Sequence, residues 1–112
     1  MTSEPITGFS IDAIQEGRVL TLRLSGELDI ASAPALEDAA PEPRDWEHLD
    51  SVVVDLRSLA FLDSSGLRAL FVIDTRAREA GRRARFVHGP RAVRRIFEVT
   101  ALDERLDMVD EP

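Results

Sequence analysis

The stretch from Val52 to Ala80 constrains this chain more than any other part. Val52-Val53-Val54-Asp55-Leu56 is an apolar run broken by one carboxylate, and it reads as a central strand covered on both faces or nearly so. Phe61-Leu62-Asp63-Ser64-Ser65-Gly66-Leu67 follows and opens a helix-like segment. From Ser65 to about Ala80, the side chains of Ala69, Leu70, Ile73, Ala77 and Ala80 share an arc of about 100°, enough for a core face. Gly81 is a natural stop. Two hydroxyls and a carboxylate therefore sit at a strand-to-helix turn, where free N–H groups and the helix dipole favour negative charge. A phosphate placed there would be held locally while changing the surface a partner meets. This is the chemistry of a switch more than of an enzyme.

The flanking sequence supplies the rest of an α/β domain. Phe9, Ile11 and Ala13 alternate with polar residues as a strand, and Glu16-Gly17-Arg18 turns the chain. Leu20, Leu22 and Leu24 alternate in the same way, the hairpin partner of the first strand, which Gly26-Glu27-Leu28-Asp29 ends. Ser32 is a plausible N-cap of a short helix, Pro34 fits its first turn, and Pro41 and Pro43 stop it. Pro41 to Asp50 is then an acidic loop whose Trp46 folds back on the core. Ala84 to Val87 is another strand, and Gly89-Pro90 turns into a third helix with Val93, Ile96, Phe97 and Thr100 on one face. Leu106 to Val109 is a last strand. An initial hairpin followed by strands alternating with helices predicts a mixed sheet with helices packed against it, in one domain over 1–112 with its core at about 8–110.

Composition sets the function classes. The 112 residues suffice for one core, and the absence of cysteine removes disulfides, thiolate metal sites and cysteine nucleophiles. No apolar run approaches a membrane helix, and Met1 to Pro5 lack a signal-peptide pattern, so the expectation is a cytoplasmic protein without membrane attachment. The net charge of −7 argues against direct nucleic-acid binding. That charge is uneven, with eleven acidic and three basic side chains in residues 1–50 against ten and eleven in 51–112. Arg82, Arg83, Arg85, Arg91, Arg94 and Arg95 read as a solvated face balancing the acidic half, since no aromatic interleaving accompanies them. His48 and His88 lack a clustered ligand pattern, so neither is assigned a metal, and no cofactor is expected. No base or oxyanion constellation and no Walker-type phosphate loop is present, which leaves a small hydrolase or phosphotransferase only a distant alternative.

Several motifs in order resemble the STAS-domain family, and within it the bacterial anti-sigma factor antagonists, over nearly the whole chain. They are Ser25-Gly26-Glu27-Leu28-Asp29 with Ala33-Pro34, Val52-Val53-Val54-Asp55-Leu56, Asp63-Ser64-Ser65-Gly66-Leu67, and Pro90-Arg91-Ala92-Val93-Arg94-Arg95-Ile96-Phe97. The resemblance implies an anti-anti-sigma factor, a partner-switching phosphoprotein without catalysis of its own, monomeric when free. Such proteins bind an anti-sigma factor that is a serine kinase of the histidine-kinase-like ATPase group, releasing a sigma factor for stress response or sporulation transcription. The kinase phosphorylates the first serine of the D-S-S-G motif, here Ser64, and a metal-dependent serine phosphatase resets it. A stressosome-like or lipid-transport assembly is the alternative within the fold. The chain departs from the family at the long, acidic Pro41–Asp50 loop, which bears on partner identity.

Each site residue has two readings. Ser64 and Ser65 are both good N-caps; with the resemblance, Ser64 becomes the phosphoacceptor and Ser65 the plain cap. Asp63 either orients the serine or contacts the kinase, or it satisfies turn N–H groups, and Asp29 is similar. Gly66 permits close approach of another backbone, or is only a small first-turn residue. Leu67 and Phe71 lie off the core arc beside Asp74 and Arg78, and are expected to form an apolar strip that docks on the partner unless the core wraps further round the helix.

Overall fold

The computed structural model describes residues 8–112; the reading of Met1 to Pro5 lies outside the described residues. A tight turn at Gly17 joins β1 (Phe9–Glu16) to β2 (Val19–Leu28), and the two pair antiparallel with Ile11 opposite Leu24 and Ala13 opposite Leu22. The chain continues through α1 (Ala33–Ala39), β3 (Ser51–Leu62), α2 (Ser64–Glu79), β4 (Arg83–Val87), α3 (Arg91–Thr100) and β5 (Met108–Val109). Strand order is β1-β2-β3-β4-β5, with every pairing after the hairpin parallel. The mixed sheet expected from the hairpin and the crossovers is what forms.

Successive parallel strands all step in one direction. Right-handed crossovers therefore place α1, α2 and α3 on the same face. One core cluster joins Leu22, Leu24, Val52, Val54, Leu56 and Phe86 of the sheet to Leu36, Leu70, Ile73, Val93 and Phe97 of the helices. Each large side chain buried there contributes on the order of 1.5–3 kcal/mol.

Val53, at 2% exposure, stands outside that cluster. Alternation along β3 turns it to the reverse face, with Thr21 and Arg85 beside it in register. Coverage of both faces of the Val52–Val54 run was the expectation. All three valines are buried, Val52 and Val54 in the cluster with the helices and Val53 on the other face, where Asp55 and Val87 are buried as well.

Strand ends differ from the sequence reading for a common reason. β2 runs through Leu28 rather than ending at Gly26, and β3 runs through Leu62, well past the apolar run. Their register slips between Arg23 and Ser25 and again between Gly26 and Glu27, each time adding one residue to β3. Such bulges let a long strand stay paired while its twist changes. Their product is the alignment of Leu28 with Leu62.

The Pro41–Asp50 segment is not an open loop. It holds a 3₁₀ turn, Pro43–His48, in which the Asp45 carboxylate accepts the Glu42 N–H at 2.9 Å. Trp46 is 1% exposed and belongs to the core, as its position in this loop suggested. At the other end, Arg18 closes the segment with a 3.0 Å ion pair to Asp50. On α3, Thr100 is exposed rather than inward, and its hydroxyl donates back to the Ile96 carbonyl at 2.6 Å. The last strand shrinks to Met108–Val109, because Leu106 points into the core from the turn before it.

Candidate functional site

The turn between β3 and α2 is built by Asp63. Its backbone is extended (φ −116°, ψ −172°), so it stands at the N-cap, and its Oδ1 accepts the Ser65 N–H at 2.9 Å and the Gly66 N–H at 3.0 Å. The Leu67 N–H donates to the Asp63 carbonyl at 2.9 Å. Ser65 is therefore not the cap. The longer β3 carries Asp63 into that position, and a carboxylate there satisfies two first-turn donors at once. Ser64 is the first helical residue and is exposed; Ser65 is half-buried.

Gly66 is what brings this turn against the end of β2. A Cβ there would lie 2.5 Å from the Leu28 carbonyl oxygen and 2.7 Å from Leu62 Cδ1. The Asp63 N–H donates to that same Leu28 carbonyl at 3.2 Å. The close-approach reading of Gly66 is thus realised, and the first turn of α2 packs on the last residue of β2, immediately before the β2–α1 loop. In that loop the Asp29 Oδ1 accepts the N–H groups of Ala31 at 3.0 Å and Ser32 at 3.2 Å. The Ser32 hydroxyl accepts the Asp29 N–H at 2.9 Å and donates to the Glu27 carbonyl at 2.8 Å, so it ties the loop rather than capping α1. Asp63 thus shapes the turn that carries Ser64, and Asp29 shapes the loop that follows β2.

Leu67 and Phe71 do not form an exposed strip. Leu67 is 8% exposed and joins the core cluster; Phe71 is half-buried against it, with the Arg105 guanidinium 5.8 Å from its ring centroid. The core wraps further round α2 than its sequence arc. Two apolar side chains that the sequence reading passed over are exposed at this end of the sheet instead. Ile30, 76% exposed, follows Asp29, and Phe61, 48% exposed, pairs in register with Glu27 two residues before Asp63. The available signal was an isoleucine inside a turn, where no periodicity calls for one.

A second cluster was also missed. Asp55, buried on the reverse face of the sheet, receives Arg57 Nη2 at 2.7 Å and Nε at 2.9 Å, with Arg23 Nε 3.8 Å away. The hydrogen bond from Arg57 holds its carboxyl below the usual range, against the opposing effect of burial.

The arginine run divides between β4 and α3. Arg82 donates to the Leu49 carbonyl at 2.6 Å, Arg83 lies 3.9 Å from Asp107, and Arg94 lies near Glu98 and Asp110 at 3.5 and 3.6 Å. Among the described residues no three His, Cys, Asp or Glu side chains gather as a metal site, and no helix is long and apolar enough to cross a membrane.

Comparison with known proteins places this architecture. A family model described as "Mlab, STAS domain" matches residues 11–110. An anti-sigma factor antagonist from Mycobacterium paratuberculosis superposes with a TM-score of 0.75 at 25% identity, over 97% of this chain and 92% of that one. The STAS domain of an antisigma-factor antagonist from Rhodobacter sphaeroides gives 0.61 at 28% identity, over 70% and 85%. The Bacillus cell fate determinant SpoIIAA in its phosphorylated form gives 0.70 over 94% and 92%, and at 18% identity it shares the fold.

Proposed function

The chain belongs to the STAS-domain family, and we propose that within it the protein is an anti-sigma factor antagonist switched by phosphorylation of Ser64. It binds an anti-sigma factor that is a serine kinase of the histidine-kinase-like ATPase group, and so releases the sigma factor. The kinase transfers the γ-phosphoryl group of ATP to the Ser64 hydroxyl oxygen, and the added charge and bulk end the complex. A metal-dependent serine phosphatase restores the hydroxyl. The protein acts in the cytoplasm as a monomer and has no catalysis of its own.

The observation that carries this reading is an exposed Ser64 at the head of α2, in a turn that Asp63 shapes and that packs on the end of β2. Likeness to two antagonists at 25% and 28% identity supports it. The docking surface is centred on Ser64 and takes in Asp29, Asp63, Ser65 and the Gly66 backbone. Phe71 lies at its edge and Leu67 shapes it from beneath. Exposed Ile30 and Phe61 supply apolar anchors there.

A second reading, a STAS component of another assembly, is favoured by the matching family model, which is that of Mlab rather than of an antagonist. Affinity capture from the native host separates the two. Unmodified protein retains a serine kinase of the stated group, while Ser64→Glu and Ile30→Asp variants lose it. Retention of that kinase by both variants, or capture of a different assembly, contradicts the antagonist reading.

A further inference from the structure

We propose that Arg68 is the cation that receives a phosphate on Ser64, forming an ion pair along the first turn of α2; this rests on the phosphorylation reading above. Ser64 and Arg68 are four residues apart on one helix, both exposed. Helical side chains lean toward the N-terminus, so the long Arg68 side chain reaches back over the turn that carries Ser64. The order also suits the pair, with the anion at the earlier position and the cation at the later one. Among the described residues, Arg68 has no hydrogen bond or ion pair to give up.

The rest of the site makes this pairing matter. The helix N-terminus would ordinarily supply donors to a phosphate, yet Ser65 and Gly66 already donate to Asp63, and Leu67 to its carbonyl. Asp63 lies beside Ser64, Asp29 follows Leu28 and Glu27 pairs with Phe61, while Arg91 heads α3 after the parallel strand β4 at the same end of the sheet. The acids of α1, Glu37 and Asp38, sit toward the far end of α2, where Arg76 donates to the Glu37 carbonyl. A dianionic phosphate would meet repulsion from the adjacent Asp63, and Arg68 is the cation on the same helix placed to answer it. A guanidinium does so with two parallel N–H donors, which fixes the phosphate in one direction and favours its dianion.

Phosphoserine installed at position 64 during synthesis yields the modified protein without any kinase. A ³¹P NMR titration at low salt then reads the second phosphate pKa, ordinarily about 6. Arg68→Gln is expected to raise it by about 0.4 unit, and Arg68→Lys by less, because the ammonium keeps the charge without the fork. Arg95→Gln, which removes an exposed charge from α3, is expected to leave it unchanged. The same pKa with and without Arg68, or an equal rise in the Arg95 variant, overturns the proposal. Failure of the functional reading shows separately, as a host protein without phosphate on Ser64.

Discussion

For single residues, the aspartates of the two loops, Asp29 and Asp63, and the buried aspartate of the sheet do different work. Asp63 and Asp29 hold N–H groups of exposed loops, where water would compete for the same donors. Asp55 has no such competition and pairs with Arg57 and Arg23. Its carboxyl ionises more readily folded than unfolded, so its contribution is present above the unfolded pKa of about 4 and is lost as pH falls through the lower folded value. Melting temperature measured from pH 6 to pH 2 should fall steeply below about pH 4, and Asp55→Asn should flatten part of that fall while lowering stability at neutral pH. A variant whose profile parallels the wild type would show that Asp55 contributes nothing to the pH dependence.

Residue identities around Ser64 were legible, but their duties were not. Asp, Ser and Ser in a row are three competent caps. Which of them takes the N-cap depends on where β3 ends, and that is set by two bulges against β2. Sequence periodicity carries no mark of a bulge.

At the scale of elements, the helices followed from their apolar spacing, and α2 begins one residue before its expected start. Leu67 was misplaced because a sequence arc counts only the side of a helix facing the sheet. The end of β2 adds a second wall, through Leu28, that encloses the first turn as well. Gly66 makes that second contact possible. Gly66→Ala would drive a methyl group into the Leu62 side chain and into the Leu28 carbonyl, which is backbone and cannot swing away cheaply. The expected loss is about 1–3 kcal/mol in urea denaturation, with partner binding falling alongside as the turn parts from the end of β2. Unchanged stability in that variant would mean that the junction yields, and that Gly66 is only a small first-turn residue.

At the scale of the whole molecule, the fold gathers the elements of the proposed switch at one end. β2 and β3 are parallel, so both of their following loops emerge at the carboxyl ends of adjacent strands, where α/β sheets place their sites. The class of fold was readable from one hairpin followed by strands alternating with helices. Burial of Val52, Val53 and Val54 on both faces was readable too, but not that the helical core cluster would take only Val52 and Val54. The Pro41–Asp50 segment, tied down by Trp46 and Arg18, is a firm part of the opposite end rather than an extension of the switch.

The proposed function requires that Ser64 be modified and that the modification follow the state of the cell. Phosphopeptide mapping of the protein taken from its host addresses it directly. Cleavage after Arg57 and Arg68 releases the segment 58–68, and fragmentation distinguishes Ser64 from Ser65. Phosphate on Ser64 whose occupancy changes with growth condition is the predicted result. A segment that carries no phosphate on Ser64 under any condition would contradict the account.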